Sequence, residues 1–181
     1  MYIENSGKMI EVEIRSAVQI DIKGDDVMVK GSLGSNSRKF NSALLSLSRE
    51  GSKIVIKPTE NKVLAKKAMM AEKAMAKEIM NDISGVQKHF EINMQVVFAH
   101  FPVTVEAKGD TVLIKNLIGE RGPRSAKVVG GTKVEVKGAN LRLYGTRLDD
   151  VSQTAANLRR ACKIREKDGR VFQDGIYFAL E

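Results

Sequence analysis

The sequence predicts an α+β fold of two tandem duplicated domains, each an antiparallel β-sheet packed on one face by an α-helix. Three observations lead there: an internal repeat, apolar residues alternating on either side of glycine turns, and a helical stretch after each set of strands. The repeat appears when the chain is slid against itself by 85 residues, so that Met9–Gly34 meets Met94–Gly119. Nine of the 26 positions are then identical: Met9, Val12, Val18, Lys23, Gly24, Asp25, Val27, Lys30 and Gly34. Average composition gives roughly one or two such matches by chance.

Val18, Ile20 and Ile22 alternate ahead of Gly24-Asp25, and Val27 and Val29 alternate after it. A two-residue hairpin turn there uses the glycine for positive φ and sets Ile22 opposite Val27 and Ile20 opposite Val29. In the second copy, Gly109-Asp110 sets Ala107 opposite Val112 and Val105 opposite Ile114. A second hairpin follows at an offset of 87. Leu45 and Leu47 lead through Arg49-Glu50-Gly51 to Ile54 and Ile56, and Val134 and Val136 lead through Lys137-Gly138 to Leu141 and Leu143. The apolar faces then need a cover. Over 62–83, Leu64, Ala68, Met75, Ile79 and Ile83 share one helical side, and Ser84-Gly85 is a stop signal. Over 150–164, Val151, Ala155, Leu158 and Cys162 form a narrower stripe, with Asp149 or Asp150 suited to cap it. Between the copies Phe90, Ile92, Met94, Val96 and Phe98 alternate as a strand, which puts the boundary near 82–88 and the domains at 1–83 and 84–181. The methionines of the first helix (Met69, Met70, Met75, Met80) read as core packing ahead of a sticky partner surface.

Composition narrows the function. A net charge of +8 and a pI near 9.6 favour an anionic partner. Cys162 is the sole cysteine, so no internal disulfide can form and a reducing compartment fits. The first residues lack an apolar signal core, and no apolar run approaches the roughly 20 residues of a membrane span, so a soluble, cytoplasmic protein is expected.

The copies differ most in two basic stretches of the second. Gly119–Lys127 (GERGPRSAK) sets Arg121, Arg124 and Lys127 among Gly119, Gly122 and Pro123, a loop whose guanidiniums suit phosphate oxygens and whose composition equally suits a solvated hairpin loop. The matching loop of the first copy, Gly34–Phe40, lacks the proline. From Arg159 to Arg170 stand six Lys or Arg against Glu166 and Asp168. Arg159, Arg160 and Lys163 near a helix end also satisfy its dipole, but Arg165, Lys167 and Arg170 continue past that end and point to nucleic acid. Catalytic chemistry has little to stand on. His89 and His100 border an apolar strand, Cys162 lies on a packing stripe without a base, and no metal-ligand spacing or phosphate-binding glycine motif occurs. No cofactor or metal is expected.

The residues His100-Phe101-Pro102, GERGPRSAK (119–127), TKVEVKG (132–138), QTAAN (153–157) and RVFQDGIY (170–177) resemble the large-subunit ribosomal protein L-six family in its archaeal and eukaryotic form. The resemblance runs through almost the whole chain. It implies two similar α+β domains and a structural, non-enzymatic role in the cytoplasmic ribosome. The implied partners are large-subunit ribosomal RNA, bound mainly through the C-terminal domain near the sarcin–ricin loop and translation-factor site, and neighbouring large-subunit ribosomal proteins, with translation factors as further candidates. No membrane and no small-molecule substrate is implied. The rRNA-binding residues expected from the charge pattern and the resemblance together are Arg121, Arg124, Lys127, Arg160, Lys163, Arg165, Lys167, Arg170, Gln173 and Tyr177. Gly169 stands where the family usually has proline, which implies a less rigid turn before Arg170. The alternative reading is a protein-interaction module whose basic surface binds an acidic partner such as a translation factor. An enzyme using His100 or Cys162 is the third.

Overall fold

The computed structural model describes residues 3–5, 10–13, 18–59, 61, 63–99, 101–165 and 167–179. The expectations placed on Lys62, His100 and Glu166 lie outside them. The chain divides into two compact units, Met1–His89 and Phe90–Glu181, past the boundary expected at Ile83–Ser84 because the first helix runs on to Gly85 and Val86 packs into the first core.

In the first unit β1 (Ile3–Asn5), β2 (Ile10–Glu13), β6 (Leu45–Glu50) and β7 (Lys53–Pro58) form an antiparallel sheet in the order β1-β2-β7-β6. A second sheet holds β3 (Gln19–Lys23), β4 (Asp26–Gly31) and β5 (Gly34–Lys39). Helix α1 (Ala65–Gly85) covers the larger sheet. The second unit repeats the plan. Strands β8 (Phe90–Val97), β12 (Lys133–Lys137), β13 (Asn140–Gly145) and β14 (Gly175–Phe178) order as β12-β13-β8-β14, and β9 (Thr104–Lys108), β10 (Thr111–Lys115) and β11 (Arg124–Lys127) form the smaller sheet. Helix α2 (Leu148–Ala161) packs on β8, β11, β13 and β14. The fold is α+β and duplicated as expected, with the strands of each copy shared between two sheets.

The hairpin registers follow from the alternation. Ile22 pairs Val27 and Ile20 pairs Val29; Ala107 pairs Val112 and Val105 pairs Ile114. Gly24 and Gly109 both take φ +57, the left-handed turn conformation that glycine adopts without strain. The repeat slips in one strand. Val12 sits opposite Ile54, and the residue opposite its counterpart Leu141 is Met94, an offset of 82 (94 minus 12) in place of 85. The sequence match of Val12 with Val97 therefore pairs a buried residue with an exposed one.

Three expectations change. Helix α2 begins after Arg147, so Asp149 and Asp150 sit in its first turn, where their charge opposes the positive end of the dipole, and it ends at Ala161, short of Ile164. The stretch Gly34–Phe40 is not a loop: residues 34–39 are β5, joined to β4 by the two residues Ser32 and Leu33. Core packing accounts for Met75 and in part for Met80, but Met69 and Met70 are 53% and 67% exposed. The α1 sequence supplies more apolar positions than its one buried side can use.

Polar side chains tie β5 to α1. Arg38 Nε donates to Asp82 Oδ2 at 2.8 Å, its Nη1 lies 3.0 Å from Glu78 Oε2, and Asn36 Nδ2 donates to Asp82 Oδ1 at 3.3 Å. The β4–β5 turn then meets the end of α1, with Leu33 N donating to Val86 O at 3.0 Å. A Cβ on Gly31 would lie 2.5 Å from Val86 Cγ2 and 2.8 Å from Val86 O. Among the described residues no helix is long and apolar enough to cross a membrane.

Gly31→Ala must push strand and helix end apart, and it is expected to destabilise the protein by about 1–3 kcal/mol. Gly24→Ala meets open space but a positive φ, so its expected loss is smaller, about 1 kcal/mol. Urea unfolding of both variants beside the parent measures the order.

Candidate nucleic-acid interface

The chain leaves α2 at Ala161 with carbonyls that have no partner within the helix. Arg124 on β11 takes them. Its Nη1 donates to Ala161 O at 2.9 Å and to Lys163 O at 3.1 Å, while its Nε donates to Glu120 Oε2 at 2.8 Å. Hydrogen bonding to Arg124 holds the Glu120 carboxyl below the usual carboxylate range, and the same bond raises the guanidinium of Arg124. Arg124 was expected to face RNA from a loop. It stands instead on a strand, partly buried beneath the basic segment, and fixes the direction in which that segment departs.

The expected loop divides in two. A 3-10 turn at Leu117–Gly119 and the irregular residues 120–123 come first; Arg124–Lys127 is β11, paired with β10. This insertion replaces the tight β4–β5 turn of the first copy. It carries backbone strain, with Asn116 at φ 60 and the β-branched Ile118 at φ 51. Gly119, at φ +74, packs on the Phe101 ring, to which a Cβ would approach 3.2 Å, and Asn116 Nδ2 donates to Pro102 O at 3.1 Å. Arg121 is left exposed at the tip.

The QTAAN stretch is an anchor. Thr154, fully buried, accepts from Val129 N at 3.0 Å and donates to Asp150 O at 2.7 Å. Asn157 Nδ2 donates to Lys127 O at 3.0 Å and its Oδ1 accepts from Gln153 at 2.9 Å. These bonds and the buried Ala155 and Leu158 hold α2 against β11. Lys127 keeps its side chain exposed while its carbonyl is bound.

Past the helix the basic residues gather along two adjoining clefts. Arg160, Lys163, Arg165 and Lys167 line the first with Ile118 and Arg124. Arg160, Lys163 and Arg165 also border the second, which runs between α2 and β14 and reaches Arg159, Phe172, Tyr177 and Phe178. Lys167 Nζ lies 4.6 Å from the centre of the Phe172 ring, and the Arg159 guanidinium 6.0 Å from that of Phe178. Arg121, Lys127, Arg170 and Gln173 are exposed but line neither cleft. Gln173 turns back to donate to Arg170 O at 3.2 Å. Arg159, Phe172 and Phe178 were not among the expected contacts; the basic run and the aromatics of RVFQDGIYF were the available signal.

The 168–172 turn is built on Asp168, whose Oδ1 accepts from Arg170 N at 2.9 Å and whose carbonyl accepts from Val171 N and Phe172 N. Gly169 has no positive φ, and a Cβ there meets nothing within 4 Å. The side chain of Asp168 holds the turn that proline would otherwise stiffen. Cys162 is buried beside β14, and desolvation pushes its thiol up to about 11. It is a packing residue, not a nucleophile.

Gly169→Pro is expected to raise stability by about 0.4–1 kcal/mol by narrowing the unfolded ensemble, read as a higher melting temperature. Cys162 should resist alkylation at pH 8 in the native protein, where roughly a thousandth or less is thiolate, and react fully once urea unfolds the chain.

The sequence model of the family described as Ribosomal protein L6 matches residues 101–175. The large ribosomal subunit protein uL6 of Methanobrevibacter smithii is 43% identical over 167 residues, which cover 92% of each chain. That of Methanocella arvoryzae is 39% identical over 94% of this chain and 95% of its own, and that of Ignicoccus hospitalis 40% identical over 92% and 90%. The matched segment takes in the strained 116–123 insertion, the QTAAN anchor and most of the basic clefts. With identity of this order along nearly its full length, the chain belongs to the ribosomal protein L6 family, which is structural and non-enzymatic.

Proposed function

We propose that this protein is a structural constituent of the large subunit of the cytoplasmic ribosome. It binds large-subunit ribosomal RNA mainly through its second domain, near the sarcin–ricin loop and the translation-factor site, beside neighbouring large-subunit proteins. The relatives' name, large ribosomal subunit protein, supports the setting. The observation that carries the reading is the pair of basic clefts, where Arg160, Lys163, Arg165 and Lys167 are exposed together.

Physical chemistry favours RNA over an acidic protein at these clefts. Lys and Arg set along a segment neutralise successive phosphates and release counterions. The aromatic rings of Phe172 and Phe178 beside them suit nucleotides, because rings stack on bases whatever their sequence. Arg121 at the tip of the strained insertion supplies a second point of contact. Arg124 acts through the others, holding the segment in place.

Replacing Arg121, Arg165, Lys167 and Arg170 together with Ala should weaken binding to large-subunit rRNA. It should also lower the slope of log affinity against log salt by about 0.7–0.9 for each phosphate that the variant no longer neutralises. Titration at several salt concentrations measures both. An unchanged affinity and slope, or an assembly that survives ribonuclease digestion, would overturn the reading in favour of an acidic protein partner.

A further inference from the structure

The face of the β12–β13–β8–β14 sheet turned away from α2 carries a row that the second cleft meets only at Tyr177. The cross-strand register sets Lys137 beside Asn140, Asn140 beside Gln95, and Gln95 beside Tyr177. All four are exposed, and the row spans three strand spacings, ~14 Å. Tyr177 is laid on the backbone of Gly175: a Cβ there would lie 3.2 Å from its Cε2 and 3.4 Å from its hydroxyl oxygen. One side of the ring is thus occupied and the ring is 42% exposed. The carboxylates of the adjoining rows are already engaged. Glu91 Oε1 accepts from Arg142 Nη2 at 2.6 Å, and Glu135 Oε1 accepts from the Tyr144 hydroxyl at 2.9 Å.

The first copy shows that the fold does not require this row. At the same register it has Glu50, Lys53 and Glu13, and Lys53 Nζ lies 2.9 Å from Glu11 Oε2. The carboxylate of Glu50 there would repel a phosphate, and Lys53, already paired with Glu11, offers it no free cation. A cation, two carboxamides and a seated aromatic ring in the second copy would receive one nucleotide.

We infer that the row holds an unpaired nucleotide of the bound RNA. Its base stacks on the open side of Tyr177, the carboxamides of Gln95 and Asn140 donate to and accept from the base edge, and Lys137 meets an adjoining phosphate. This rests on the RNA-binding reading above and adds recognition of a single-stranded position to it. A stack and a phosphate contact respond differently to salt, because only the second releases counterions.

The full-length protein is titrated with large-subunit rRNA across salt concentrations. Tyr177→Ala is expected to lose about tenfold in affinity at every salt with its slope unchanged, and Tyr177→Phe to bind like the parent. Gln95→Ala should also weaken binding without changing the slope, and Lys137→Ala should lower the slope by about 0.7–0.9. Thermal melts identify any variant that fails to fold, and Gln95 and Lys137, exposed on the sheet surface, keep the test alive if Tyr177→Ala does. Parent-like binding by Tyr177→Ala and Gln95→Ala, while the four-residue Arg/Lys variant loses affinity and slope, overturns the nucleotide row and leaves the RNA reading standing. Parent-like binding by every variant overturns both.

Discussion

The second domain depends on what Arg124 does at the end of α2. A helix that stops at Ala161 exposes carbonyls that must find donors, and a strand passing beneath them offers one planar side chain with several. Hydrogen bonds from a charged donor contribute about 1.5–3 kcal/mol, more than neutral ones. The bond to Glu120 keeps the guanidinium from turning outward. Lys163, Arg165 and Lys167 then line one cleft together instead of fanning into solvent.

The first domain fastens its helix by other means. Arg38 on β5 also reaches across to its helix, but it bonds the side chains of Asp82 and Glu78 and not main-chain oxygens. Asp82 is nearly fully buried, and Arg38 with Asn36 supplies the compensation that a buried carboxylate requires. In both copies, then, the outer strand of the small sheet grips the helix through an arginine. In the first the grip is closed on itself. In the second it leaves the following segment free to carry charge outward.

Periodicity made most of the fold legible. Alternating apolar residues around Gly24 and Gly109 determine a hairpin register almost completely, since a one-residue slip would expose Ile20 or Val105. The helix ends were less legible. Asp149 and Asp150 are good caps in isolation, yet packing of Val151 starts the helix earlier, after Arg147. Arg124 shows the limit at the site: its sequence neighbours, glycines and a proline, suggest a loop, and only the distant Ala161 and Lys163 carbonyls reveal its inward task. The shared row of Lys137, Asn140, Gln95 and Tyr177 was equally invisible, because its members come from four strands and meet only through sheet order.

The two large sheets are completed from opposite directions along the chain. Beside β2 stands β1, which directly precedes it, whereas beside β8 stands β14, which arrives only after α2 and the basic segment. During synthesis the first domain can close its sheet as soon as β7 emerges. The second waits with a bare strand edge at β8 until β14 is released. Ile176, Tyr177 and Phe178 dock at that last moment, so the groove beside α2 comes into being as the final act of folding. Until then the growing chain has a basic segment but no aromatic wall to set it against.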